Sequence, residues 1–105
     1  MLDWSNITGF EWGAGNARKS IDKHSVNQYE SEQVFFNQPL LILPDIKHSQ
    51  EEVRHHALAK TDLIRYLHVT FTLRSNNRLI RVISARDMHR KEKMIYEKVK
   101  KNTSI

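Results

Sequence analysis

The chain has 105 residues, 39% of them apolar and 28% charged, which is the make-up of one small soluble domain, with room for a sheet and a few helices but not for a deep cofactor chamber. It has no cysteine, which excludes a disulfide framework, thiolate zinc sites and cysteine nucleophiles, and suits a reducing cytosol. The net charge of +5 is one-sided: residues 1–59 carry 5 Lys/Arg against 8 Asp/Glu, and residues 60–105 carry 12 against 4, a footprint that fits nucleic acid, an acidic protein partner or plain solubility.

The opening "MLDWSNITGFEW" has neither the basic start nor the apolar core of a secretory signal, and no apolar run approaches the ~20 residues of a membrane span. A cytoplasmic protein without a membrane partner is therefore expected. "FEW" (10–12) predicts a short edge strand. Ala14 to His24 reads as a helix, with Ala17 and Ile21 four apart. Asn27 with Glu30 three places on is a capping-box pattern, opening a second helix to about Phe36. "LLIL" (40–43), closed by Pro44, predicts a strand, and "PDIKHSQ" (44–50) a loop. Three strands follow, at about 52–60, 64–73 and 78–85, with the "RSNNR" turn (74–78) between the last two. In the middle one, Leu67, Val69, Phe71 and Leu73 face one way, and Tyr66, His68, Thr70, Thr72 and Arg74 the other. A final helix is expected from about Met88 to Lys100, with Met88, Ile95 and Val99 on its apolar stripe. The fold class is α+β: an antiparallel sheet of about four strands, with helices before and after it, in a single domain spanning 1–105.

Metal chemistry finds little support in the six histidines. His55 and His56 are neighbours and point to opposite faces of a strand, there is no His-x-x-x-His pair, and no calcium loop is present. Three glycines supply no phosphate loop, and no cofactor is expected. What remains is arginine and histidine. Cleavage of a phosphodiester without metal needs a base, an acid and cations for the transition state. Histidine titrates near the working pH, and arginine presents a charged planar fork to phosphate oxygens. Arg54, Arg74, Arg81 and Arg86 fall on or at the ends of adjacent predicted strands, so one sheet face can gather several of them. Each has a plainer reading. Arg86 is as well placed to pair with Glu92 as with phosphate. Arg54 suits a cross-strand salt bridge, and Arg74 suits a solvated turn. His24, after Lys23 at a helix end, suits the C-terminal carbonyls. His55, His56 and His89 read as surface residues and His68 as a satisfied sheet residue. Tyr96 serves equally as core or as a base-stacking platform.

These pieces occur in a recognisable order: "FEW" (10–12), "KHSV" (23–26), "EEVRHHALAK" (51–60), "LHVTFTLR" (67–74) and "IRVISARDMHRKEKMIYE" (80–97). Together they resemble the BrnT family of toxins from type II toxin–antitoxin pairs, over about residues 10–97. The resemblance implies a compact fold like the RelE-type ribonuclease toxins, metal-independent RNA cleavage that halts translation, and a BrnA-like antitoxin as partner in a hetero-oligomer. Promoter DNA would be reached only through that antitoxin. It also implies a pool of site residues, with His24, Arg54, Arg74 and Arg86 as the catalytic set and Lys23, Arg81, Glu92 and Tyr96 binding the substrate. Three positions depart from the family pattern: Gly13 stands where Asp is usual, Ser25 where Gly follows "KH", and Ala59 where Gly is common. Two alternatives remain beside the ribonuclease: a non-catalytic nucleic-acid or ribosome-binding module, and an inactive toxin homologue kept as a protein-complex partner.

Overall fold

The computed structural model describes residues 3–47 and 52–103. Residues 48–50 of the expected 44–50 loop, the "HS" at 48–49 and Glu51 lie outside the described residues. After a single 3-10 turn at Trp4–Asn6, the elements are β1 (Gly9–Glu11), α1 (Ala14–His24), α2 (Gln28–Gln33), a 3-10 turn at Val34–Phe36, β2 (Leu41–Pro44), β3 (Arg54–Lys60), β4 (Tyr66–Arg74), β5 (Leu79–Asp87) and α3 (Arg90–Thr103). The strands form one mixed sheet in the order β1-β5-β4-β3-β2.

The expected antiparallel sheet of about four strands is corrected on two points, strand number and direction. Five strands pair, and β1 runs parallel to β5, with Gly9, Phe10 and Glu11 beside Leu79, Ile80 and Arg81. The other pairings are antiparallel, as short connections dictate. At the turn after β4, Ser75, Asn76 and Asn77 take φ of 55°, 59° and 63°, the left-handed conformation that Asn tolerates. Asn27 caps α2 with the full capping box, its side chain accepting from the Glu30 N–H while Glu30 accepts from the Asn27 N–H. That helix is shorter than expected and tightens into the 3-10 turn at Val34. The last helix starts two residues late, so Met88 precedes it. Ile95 is exposed, and the inward position belongs to Tyr96.

Period-2 alternation separates the two faces of the sheet. One face carries Ala57, Ala59, Leu67, Val69, Phe71, Ile80, Val82 and Ala85, all buried, with Val26 and Val34 packed into the same core. Phe35 meets Phe71 edge-on at 5.1 Å, and Phe10 and Trp4 extend the aromatic cluster. Burying each such side chain contributes about 1.5–3 kcal/mol. The other face carries Arg54, His56, Leu58, His68, Thr70, Thr72, Ser84 and Arg86. Although largely polar, it is not a solvated surface: His68, Thr70 and Thr72 are all buried. α3 crosses one end of this face. The Tyr96 ring packs edge-on against Tyr66, and its hydroxyl donates to the Pro39 carbonyl at 2.8 Å.

Candidate functional site

The polar face opens into a cleft of about 540 Å³, lined from β3 by Arg54 and His56, from β4 by His68 and Thr70, from β5 by Ser84 and Arg86, and at its rim by Lys19, Asp45 and Glu92. Strand register places these groups: His56 is directly opposite Thr70, His68 opposite Arg86, and Thr70 opposite Ser84. The register shifts at the Thr70–Phe71 step, leaving Ile83 as an extra residue on β5. That bulge brings Ile83 and Ser84 to the same cleft, as bulges beside functional sites do.

Arg86 is gripped by Glu92 through two parallel bonds of 2.7 and 2.8 Å. The Glu92 carboxylate also accepts the His89 N–H at 2.8 Å, half of a capping box at the start of α3. Burial works to raise the Glu92 pKa, but the bonds from Arg86 and His89 outweigh it and hold the group at about 2. The acid is therefore an anion at any working pH. His68 lies 3.7 Å from Glu92. Burial, helped by the nearby Arg86 cation, holds its pKa down to about 4, so the imidazole is neutral at pH 7. His56 stacks against His68 with ring centres 4.5 Å apart. Its Nδ1 is 3.0 Å from the Thr70 hydroxyl, and its Nε2 is 3.4 Å from the buried carboxylate of Asp45.

A second row of charge adjoins the cleft. Glu52 bridges Arg54 at 3.9 Å and Arg74 at 3.0 Å, and Glu11 binds Arg81 at 2.9 Å. Gly13 lets the Arg81 guanidinium lie against the chain, for a Cβ there would sit 2.6 Å from Arg81 Nη2. The carboxylate usual at that position in the resembled family is absent, and Glu11 pairs with the arginine instead.

Of the residues singled out in the sequence, the cleft unites Arg54, Arg86 and Glu92. Arg74 joins through Glu52, and Arg81 lies opposite Thr72 in the same row as Arg54. His24 and Lys23 do not line the cleft. They end α1, where the His24 and Ser25 carbonyls accept bonds from Arg65 at 3.2 and 2.8 Å. Tyr96 is corrected from the substrate-binding set: it is 0% exposed, and burial pushes its pKa up to about 12. A ring with no open face offers no platform to a base. Met88 likewise leaves the helix stripe. Asp45 and Lys19, not singled out in the sequence, also line the cleft, as do His56, read there as a surface residue, and His68, read as a satisfied sheet residue and buried here. Only the pairing of β3 with β4 shows that one of two adjacent histidines turns into the cleft, while the other, His55, lies against Phe71.

The opposite face offers different chemistry. Trp4, Phe10, Phe35 and Leu40 line an apolar groove of about 580 Å³, without a charged side chain for catalysis. Among the described residues, no three His, Cys, Asp or Glu side chains converge as metal ligands. No described helix is long and apolar enough to cross a membrane.

Fold and cleft together define a small α+β protein with arginine and histidine side chains lining one polar cleft. The family model of the ribonuclease toxin BrnT of type II toxin–antitoxin systems matches residues 12–92. The chain belongs to the BrnT family, and as a type II toxin it implies an antitoxin partner. Among solved structures it is similar to the Brucella abortus ribonuclease toxin BrnT, with a TM-score of 0.60 and 16% identity over 79% of this chain and 99% of that one. No curated protein sequence matches.

Proposed function

We propose that this chain, acting as one domain over 1–105, is a metal-independent endoribonuclease of the RelE type whose cleavage of RNA inhibits translation. The observation that supports it best is the cleft on the polar sheet face, where Arg54 and Arg86 sit among histidines, Arg86 within the strongly basic stretch 60–105. A phosphodiester entering the cleft meets planar cationic forks from two strands, with Arg74 and Arg81 beside them, and these stabilise the charge that builds on phosphorus in the transition state. All the services such cleavage needs are available from side chains, which is why no metal is invoked. Lys19 and the lysines of α3 steer the polyanion from a distance.

The paired carboxylates have a part in this reading. Glu92 keeps Arg86 extended and oriented, and Glu52 does the same for Arg54 and Arg74. RNA phosphate competes with these acids for the same forks. A BrnA-like antitoxin with an acidic surface would occupy the same ground in a hetero-oligomer and carry the complex to promoter DNA. The same carboxylates also favour the second reading, a non-catalytic binding module or inactive homologue, because they neutralise the arginines at rest.

RNA cleavage by the purified chain with and without EDTA, beside Arg86→Ala, tests the proposal. Cleavage that survives EDTA and is lost in the variant is the expected outcome. Activity that vanishes with EDTA and returns with a divalent ion defeats metal independence.

A further inference from the structure

The ribonuclease reading leaves open which group moves the proton. We infer that His56, oriented by Asp45, is the general base that takes the proton from the ribose 2′-hydroxyl. The inference rests on the ribonuclease reading and adds a catalytic residue to it.

The geometry is that of an oriented imidazole. Asp45 is 6% exposed and its carboxylate faces His56 Nε2 at 3.4 Å. In the tautomer with the ring proton on Nε2, towards that carboxylate, Nδ1 is the acceptor. Its one lone pair faces the Thr70 hydroxyl at 3.0 Å, and a ribose 2′-hydroxyl takes the place of that alcohol when RNA enters the cleft. The His56 side chain is 25% exposed and lines the cleft that holds Arg54 and Arg86. His68, by contrast, is buried to 8% and faces Glu92 rather than open space.

The charged and titratable groups around His56 come from every element packed about it: Lys19 from α1, Asp45 after β2, Arg54 on its own strand, His68 from β4, Arg86 from β5 and Glu92 from α3. His68 is neutral at pH 7, so the ring stacked on His56 adds no positive charge. Asp45 stabilises the imidazolium once it forms, as the carboxylate of a catalytic triad does.

The step balances simply. The 2′-oxygen gives its proton to His56 Nδ1 and bonds to phosphorus. The bond from phosphorus to the 5′-oxygen breaks, and that oxygen leaves with a proton from solvent water. The hydroxide left behind then takes the proton from His56. The products are a 2′,3′-cyclic phosphate and a 5′-hydroxyl.

His56→Gln is compared with the native chain and His55→Gln, each checked for folding by thermal melting, on RNA with and without ribosomes. The expected result is a loss on the order of 100-fold in His56→Gln, with His55→Gln within about threefold of native. The ascending limb of the native pH–rate profile should disappear in His56→Gln. Asp45→Asn should slow cleavage about tenfold and displace that limb, a change that a merely structural role would not produce. Cleavage by native protein that His56→Gln retains, or that His55→Gln abolishes equally, overturns this assignment and leaves the ribonuclease reading standing. A 5′-phosphate on the product overturns it as well. No cleavage by native protein under either condition defeats the ribonuclease reading itself, and the assignment with it.

Discussion

Two arginines at the same end of the sheet have opposite designs. Arg65, in the link between β3 and β4, has every guanidinium N–H engaged: Nε and Nη2 bind the Asp87 carboxylate at 2.7 and 3.1 Å, Nη1 binds Glu30 at 3.2 Å and the Ser25 carbonyl at 2.8 Å, and Nη2 binds the His24 carbonyl at 3.2 Å. It joins the end of α1, the start of α2 and the end of β5. The Asp87 bond above all pushes the Arg65 pKa upward, and the same bond holds Asp87 below the usual carboxylate range. Arg86, one residue from Asp87, has one carboxylate partner, one bond to the Asp87 carbonyl at 3.1 Å and an open cleft before it. The His24 and Ser25 carbonyls cannot leave Arg65 without unravelling the end of α1, so it is a strut. On the proposed reading, Glu92 yields to another anion and Arg86 binds it.

Four experiments break or sharpen this contrast. The largest effect is expected at Arg86: Arg86→Ala lowers the RNA cleavage rate on the order of 10³-fold, as loss of a transition-state donor does, while thermal melting stays within a few degrees of native. Arg65→Ala should do the reverse. It leaves two helix-end carbonyls and two carboxylates without their donor and lowers stability by about 3 kcal/mol in urea unfolding, with cleavage per folded molecule close to native. Acid comes next. The folded pKa of His68 lies below its ordinary 6.5, at about 4, so the unfolded chain binds its proton first. Stability is level above pH 6.5 and falls as the pH drops towards 4, by about 2 kcal/mol at pH 4.5. Glu92, depressed to about 2, adds a further loss between pH 4.5 and 2. Denaturant melts at stepped pH follow both, and His68→Phe should remove the first phase.

The smallest effect concerns Ser25. It closes α1 with its N–H on the Ile21 carbonyl and a φ of 56°, the left-handed position that glycine takes at helix ends. Glycine is what the family pattern has after "KH". Ser25→Gly should raise stability by about 1 kcal/mol without changing cleavage, read as a small rise in melting temperature.

Much of this was legible from local pattern. Asn27 with Glu30, the alternation of Leu67 to Leu73 and the paired asparagines at 76–77 each act within a few residues, so spacing alone exposes them. The arginines were legible as a set because strands bring alternate residues to one face. What spacing could not give was register. His56 meets Thr70 and Asp45 only because β3 pairs with β4 and β2 pairs with β3, and nothing within the chain near "HH" says which histidine turns inward. Arg65 fell unremarked at the start of the strand expected at 64–73, because its partners lie 22 to 41 positions away. Tyr96 was balanced between core and surface until the start of α3 at Arg90 set which side of the helix it occupies.

The parallel pairing of β1 with β5 sets the order of assembly. Gly9–Glu11 pairs with residues 70 positions later, whereas β3, β4 and β5 are joined by short turns and pair locally. Contacts between distant residues form late because a long loop must close first. During synthesis the N-terminal strand has no place in the sheet until Leu79–Arg81 has left the ribosome, and the cleft lacks Arg86 and its partner Glu92 until later still. A nascent or truncated chain therefore carries α1 and α2 but no working cleft.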